Sequence, residues 1–390
     1  MIIGGGSTGS SILFHLARRG VKDAILLEKV SQIASGQTSR STALLRSHYS
    51  VPTVARMAWD SYQFFQRFED EVAGGHSGFC ESGLLVCSDE KSREGLLENS
   101  QMLRGLGIPS RVVDKDELAT IEPALDFSLF SLIVYEPESG YAEPSMTASS
   151  FAKRAQELGA KVMTNANVIR IRKGSGGRFV VSTEDGREFR ARKVVVATGP
   201  WSKRFFAEIG VDVPVRAVRH SVAVFRRPDE YSGIRPIIFD FPREAYYKPD
   251  GQHLLLAGSL STEGDNIEVD PDNYNESVGF DEVSKYSEQA ASAIPSMGNG
   301  QFVRGYTGIY DLTPDQQPII DEFSSAGFEG LYCLVGLSGH GFKLSPAFGA
   351  IMADMLLGEK MTSYDSSIFR KSRFEEGKLL KSRYSLATIC

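Results

Sequence analysis

Apolar positions in this chain fall into short blocks, and the blocks follow two different rhythms. Ile2-Ile3, Ala24-Ile25-Leu26-Leu27, Lys193-Val194-Val195-Val196 and Leu331-Tyr332-Cys333-Leu334-Val335 are compact apolar runs, the pattern of strands covered on both faces in a parallel sheet. Between them, apolar residues recur at helical spacing. Ile12, Leu13 and Leu16 line one face of a helix expected over Ser10 to Arg19, and Gly20 is placed to end it. A second amphipathic helix is expected over 52 to 72, with Trp59, Tyr62, Phe64, Phe65 and Phe68 as core residues. Further helices are expected at Phe151 to Gly159 and Pro346 to Leu357, and strands at Lys161-Val162-Met163 and Val168-Ile169-Arg170-Ile171. Strand and helix in alternation predict an α/β fold with a doubly wound, Rossmann-like sheet.

The rest of the chain reads differently. From about Gly83 to Tyr141 there is a strand (Leu84-Leu85-Val86), a helix and then Glu-Pro and Pro-Glu turns. Residues 210 to 305 are mostly strand-like, punctuated by Pro, Asp and Gly: Ser221 to Phe225, Tyr246 to Gly251 and Leu254 to Gly258. This predicts an antiparallel sheet that lies over the ligand and shapes a pocket.

The glycines carry the first chemistry. Gly4-Gly5-Gly6-Ser7-Thr8-Gly9 is a Gly-x-Gly-x-x-Gly turn between strand and helix, and Glu28 closes the next strand. Gly4 permits the tight turn, Gly6 lets a pyrophosphate approach the backbone, and Gly9 lets the helix pack closely. The helix N-terminus offers N–H groups and positive dipole to the phosphates, while Glu28 can accept from a ribose diol. Only three residues precede Gly4, so the first strand is either minimal or shortened by a late start assignment. Residues 31 to 50, rich in Ser, Thr, Gly and Gln, form a loop at the carboxyl end of the sheet, where ligands of such folds sit. The triple-valine strand ends in Ala197-Thr198-Gly199, where something large can pass the backbone, and this points to a flavin more than a nicotinamide. A third glycine loop, Gly336-Leu337-Ser338-Gly339-His340-Gly341-Phe342-Lys343, leads into the last helix, whose dipole favours negative charge on a reduced flavin ring.

Composition narrows the picture. With 390 residues the chain has room for two domains. A net charge of -6 offers no basic field for nucleic acid. Cys80, Cys87, Cys333 and Cys390 make no Cys-x-x-Cys pair, so neither a metal site nor a disulfide framework is expected. No apolar run is long enough to span a membrane. Met1 runs at once into the glycine turn without a leader pattern, so the expected location is cytoplasmic.

Taken together, these segments resemble the D-amino acid oxidase superfamily of FAD-dependent oxidoreductases, in its sarcosine oxidase and dimethylglycine dehydrogenase branch. The resemblance rests on Gly4 to Gly9 with Glu28, the loop Ser39 to Tyr49, Thr198-Gly199 with Trp201-Ser202, Leu312-Thr313-Pro314-Asp315, and Ser338 to Lys343. It implies a discontinuous FAD-binding domain (1–82, 142–208 and 306–370), a substrate domain (83–141 and 209–305) and a C-terminal tail (371–390). It implies cofactor contacts from Gly4, Gly6, Ser7, Thr8, Gly9, Glu28, Lys29, Ser39, Ser41, Thr42, Val168, Thr198, Gly199, Trp201, Gly339, His340, Gly341, Phe342 and Lys343. The FAD is expected to be non-covalent. The cysteine that carries flavin in monomeric sarcosine oxidases is matched by Gly308, and Met146, Thr147 and Ala148 stand where a covalent-FMN histidine would be. The oxygen-activating lysine of those oxidases falls at Leu255, which tilts the expectation from oxidase toward dehydrogenase.

The implied reaction oxidises the carbon–nitrogen bond of a small N-methylated, secondary or cyclic amino acid, with O2 or an electron-transfer partner as acceptor. Arg46 and Lys343 match the family's carboxylate anchors, and arginine suits a bidentate grip while lysine supplies a point charge. His48 is a candidate to tune the substrate amine, and His340 is expected to act through its backbone. Tyr246 and Tyr247 either wall the pocket or pack in the sheet. Alternatives are oxidation of a 2-hydroxy acid or glycerol 3-phosphate on the same fold, a flavoprotein subunit within a homo- or hetero-oligomer, and a nicotinamide-dependent dehydrogenase. The basic stretch Arg370 to Arg373 and Lys378 to Arg383 reads as a solvated helix, or else as a docking surface.

Overall fold

The computed structural model describes residues 1–261, 267–360 and 362–382. Arg383 and Cys390 lie outside the described residues. Two large sheets organise the chain. The first has six strands in the order Ile319–Glu322, Leu331–Val335, Val194–Val196, Ile2–Ile3, Ile25–Leu27 and Lys161–Met163. All its pairings are parallel except that of Ile319–Glu322 with Leu331–Val335. The two-residue first strand is inside the sheet, held by Val195 and Val196 on one side and Leu26 and Leu27 on the other. Helices Ser7–Arg18, Pro52–Gln66, Pro144–Glu157 and Ser345–Leu357 cover one face with a single apolar cluster that includes Ile12, Leu13, Phe65, Phe68 and Phe151. The other face packs on a three-stranded sheet, Val168–Lys173, Phe179–Thr183 and Glu188–Ala191.

The second sheet has eight strands in the order Gln301–Leu312, Arg216–Arg226, Leu254–Ser259, Ala245–Asp250, Ile237–Asp240, Leu84–Ser88, Leu132–Glu136 and Arg111–Val112. It joins strands from 83–141 and from 209–305. It is antiparallel but for one parallel pair, Leu84–Ser88 with Ile237–Asp240. The expected boundary at residue 306 falls inside the strand Gln301–Leu312, which pairs along its length with Arg216–Arg226.

Strand alternation sorts the side chains of this sheet into two layers. Tyr247 and Leu255 face the helix Phe280–Ala293 in one apolar cluster, whereas Tyr246, Phe239 and Leu260 share the opposite one.

Several local expectations shift. The helix expected from Phe151 starts at Pro144, because Pro144 fits the first helical position and the Glu143 carboxylate caps the Met146 N–H. The helix expected over 52–72 breaks at Arg67 into Pro52–Gln66 and Phe68–Glu71. The loop 31–50 contains one 3-10 turn, Gln37–Arg40, and a short strand, Leu44–Leu45. Arg373 corrects the reading of the basic tail as solvated. It is fully buried and grips Asp315 with two hydrogen bonds of 2.8 Å, because a carboxylate enclosed by the Thr313–Gln317 turn requires a cation. Among the described residues no helix is long and apolar enough to cross a membrane.

Candidate active site

The two sheets enclose a cavity of about 720 Å³ between them. Its nucleotide end is made by strand ends of the six-stranded sheet. Gly4 has φ of +109°, and a Cβ there would lie 2.3 Å from the Ala197 carbonyl oxygen. The first glycine turn and the Thr198-Gly199 turn therefore meet backbone to backbone. A Cβ on Gly9 would lie 1.9 Å from the Gly4 oxygen, so only glycine permits this helix to begin here. Thr38 caps the helix by accepting from Ser7 N–H at 3.0 Å. Glu28 does more than await a ribose: its carboxylate accepts from Gly5 N–H at 2.7 Å and Val30 N–H at 3.1 Å, bracing the turn. Thr8 Oγ1 lies buried at the rim with no hydrogen-bond partner among the described residues.

A strap from the substrate side crosses this end. Asp272 accepts from Trp201 Nε1 at 2.7 Å, pairs with Lys29 at 3.3 Å and contacts Arg204. Lys29 lies 3.7 Å over the Trp201 ring. Glu276 pairs with Arg40 at 2.9 Å, and Arg40 also donates to the Thr307 carbonyl. Partial burial disfavours the charged form of Asp272, but the bonds from Trp201 and Arg204 prevail and hold its carboxyl at about 2. Gln37 accepts from Ile309 N–H at 2.7 Å and ties the loop to the strand that carries Gly308.

The opposite end is built from side chains. Arg46 is 3% exposed, donates to the His48 carbonyl, and has its guanidinium 4.3 Å over Tyr49 and 5.3 Å over Phe239. Lys343 donates to the Gly339 carbonyl at 3.2 Å. Burial, reinforced by the Arg46 charge, pushes the Lys343 ammonium well below its usual range. His220 stacks on Tyr310 at 4.6 Å and lies 6.3 Å from Tyr246, and all three line the cavity. Asp311 also lines it. Burial raises the Asp311 carboxyl to about 6 against the pull of backbone N–H groups, and its Oδ2 has no hydrogen-bond partner among the described residues.

Most of the expected residues converge here. Gly4, Gly6, Ser7, Thr8, Glu28, Lys29, Ser41, Thr42, Arg46, Val168, Thr198, Gly199, Trp201, Tyr246, Gly339, Gly341, Phe342 and Lys343 all line the cavity. Four others stand behind it. Gly9 serves the turn. Ser39 is exposed and donates to Gly36 at 2.8 Å. His340 is 1% exposed, its Nδ1 is 3.0 Å from the Tyr49 hydroxyl, and burial followed by the Lys343 and Arg46 charges keeps it neutral. His48 is fully buried, with Nδ1 2.6 Å from Glu136. Of the tyrosine pair, Tyr246 walls the cavity and Tyr247 packs behind. Leu255 also points into the core, so no inference about oxygen attaches to it; Ser259 and Leu260 of the same segment reach the cavity instead. Sequence reasoning missed Arg40, His220, Tyr310, Asp311, Asp272 and Glu276. Asp311 stands just before the Thr313-Pro314-Asp315 turn, which was a signal; Asp272 had none.

Fold and cavity together have the form of a dinucleotide-binding oxidoreductase, with buried Arg46 and Lys343 at the end away from the glycine turn. The profile of the family described as "DAO: FAD dependent oxidoreductase" matches residues 1–355, and the chain belongs to that family. Similar proteins include glycine oxidase of Geobacillus kaustophilus (strain HTA426), 28% identical over 379 residues that cover 95% of this chain and 96% of that protein. Mitochondrial sarcosine dehydrogenase of Mus musculus is 25% identical over 403 residues; the match covers 98% of this chain and 42% of that relative's length. The crystal structure of L-proline dehydrogenase from P. horikoshii superposes with a TM-score of 0.87 at 25% identity, covering 97% of this chain and 98% of that one.

The residues present fit FAD. The volume lies in the range of a cofactor site. The helix begins just after Gly6, which has no side chain to occupy its N-terminus, and the unpartnered Thr8 hydroxyl sits in its first turn. Gly308 lines the cavity and offers no nucleophile for a covalent link.

Proposed function

We propose that this enzyme oxidises the carbon–nitrogen bond of a small N-methylated, secondary or cyclic amino acid, giving an imine that water hydrolyses. Bound FAD would supply the two-electron acceptor for the C–H hydride; the iminium left behind is hydrolysed to amine and carbonyl, and its positive charge leaves as a proton to solvent. The observation that carries this reading is the convergence of two buried basic side chains, Arg46 and Lys343, on an end of the cavity that Tyr246, His220, Tyr310 and Phe239 also line, with the Asp311 carboxyl beside them. Such an arrangement suits one carboxylate joined to a small, weakly polar body. Arg46 fixes the carboxylate plane, and an arriving anion favours the charged form of Lys343 against burial and the Arg46 charge. The aromatic wall excludes water and favours the neutral amine that hydride loss requires. The electron acceptor is O2 or an electron-transfer protein.

The test is anaerobic addition of sarcosine, dimethylglycine or L-proline to the purified holoenzyme while recording its visible absorption. Bleaching by one of them supports the reading and names the substrate class. Bleaching by lactate or glycerol 3-phosphate instead moves the chemistry to a carbon–oxygen bond. A spectrum that none of the amino acids alters argues against the reading.

A further inference from the structure

The segment Arg46 to Ser50 is wholly buried, although three of its five side chains carry polar groups besides the Arg46 guanidinium and the Tyr49 hydroxyl. His48, at its centre, does not reach the cavity. Its ring points the other way, into the 83–141 stretch. Nδ1 is 2.6 Å from Glu136 on the strand Leu132–Glu136, and the ring nitrogens lie 3.4 and 3.5 Å from Asn99 Nδ2 on the helix Arg93–Gly105. Glu136 and Asn99 are 1% and 0% exposed. The pairing of Leu45 with Gly140 brings these elements into register beside the loop.

A buried histidine–carboxylate pair is a poor source of stability, since a hydrophobic pair of similar volume fills such a space at little or no loss. What the pair does supply is orientation. With the ring held by Glu136, the His48 backbone is fixed, and the His48 carbonyl receives Arg46 Nη1. Tyr49 and Phe239 limit the tilt of the same guanidinium. One residue further on, the Tyr49 hydroxyl meets His340 at 3.0 Å, in the loop that carries Lys343.

We infer that Glu136, His48 and Asn99 are positioning residues: they act from behind the cavity through the His48 carbonyl to set the roll of the Arg46 guanidinium, and so the plane in which a carboxylate is received. This rests on the reading of Arg46 as the carboxylate anchor. It assigns His48 a role other than contact with the substrate amine. It also makes the 83–141 stretch part of the determinant of carboxylate geometry without contributing Glu136 or Asn99 to the cavity.

The experiment is a double-mutant cycle on the FAD-loaded protein, with acetate as probe and its dissociation constant read from the perturbed flavin absorption. Glu136→Ala is expected to weaken acetate about tenfold. Glu136→Gln, whose amide oxygen still accepts from the imidazole, is expected to recover most of that loss. In an Arg46→Lys background, which keeps a positive charge but not the guanidinium plane, Glu136→Ala is expected to change the constant less than twofold. Equal weakening in both backgrounds would mark general loosening of the fold and overturn the inference. No weakening by Glu136→Ala while Arg46→Lys alone weakens acetate strongly would overturn it too, leaving the anchor reading intact. If Arg46→Lys has no effect on acetate, the anchor reading falls and this inference with it. Should Glu136→Ala not fold, His48→Gln breaks the same contact from the other partner and is read against the same expectations.

Discussion

The two ends of the cavity are made of different materials. The nucleotide end rests on main chain: two glycine turns at the ends of parallel strands, with Cβ clearances so small that Gly4 and Gly9 admit no other residue. The opposite end is side chain: His220, Tyr246 and Tyr310 from the eight-stranded sheet, and Arg46 and Lys343 from two loops, held by buried contacts. A site built from backbone tolerates changes in the residues around it but not in its glycines. A site built from packed side chains depends on each charge and on the groups that orient it.

Substitutions break this comparison in order of size. Gly9→Ala should be the most severe, costing more than about 4 kcal/mol, because backbone cannot retreat from a contact of 1.9 Å. Recovery of soluble protein and its FAD content measure this. Gly36→Ala, also at the cavity but with nothing within 4 Å of its Cβ, should stay within about 0.5 kcal/mol. If both behave alike, the nucleotide end is not governed by backbone clearance. Next, Arg46→Ala should weaken a carboxylate ligand roughly a hundredfold or more, about 3 kcal/mol, while FAD content stays normal. A parallel loss of FAD would show that the two ends are not separable.

A third test uses pH. Burial raises the Asp311 carboxyl to about 6, above the value near 4 of an unfolded chain. Protonated Asp311 is thus favoured in the fold, so its contribution is present at low pH and is lost as pH rises from about 4 through about 6. Asp311→Asn does not titrate, and its stability relative to the native protein should grow by about 2–3 kcal/mol across that window. Urea unfolding at the two ends of the window checks this; parallel curves would mean that Asp311 is not held as described. The smallest effect is expected at the strap. Asp272→Ala should speed FAD release severalfold at low salt, a change under about 1 kcal/mol because the side chain is 43% exposed, and the difference should shrink in concentrated salt. Fluorescence of released flavin follows it directly.

The comparison also explains what could be read beforehand. Gly4, Gly9, Thr198 and Gly199 were legible because backbone sites require a particular residue at a particular spacing. Arg46 and Lys343 were legible only through family resemblance, since nothing in their local sequence separates a buried anchor from a solvated cation. His48 was a candidate to tune the substrate amine, yet the fold turns its ring toward Glu136, 88 positions away. Arg373 was read as solvated among other basic residues, yet Asp315 draws it inside. Leu255 and Tyr247 were candidates for the site until strand alternation placed them on the far layer.

By itself the sequence determined the parallel sheet, the strand–helix turns and the dinucleotide-binding class, because these follow from local periodicity and from the steric demands of single residues. Only the tertiary structure decided which cations are buried, which histidine faces the cavity and how the 83–141 and 209–305 stretches merge into one sheet. Those outcomes depend on partners distant along the chain, and desolvation and charge pairing act on whatever the fold brings together, whatever its separation in sequence.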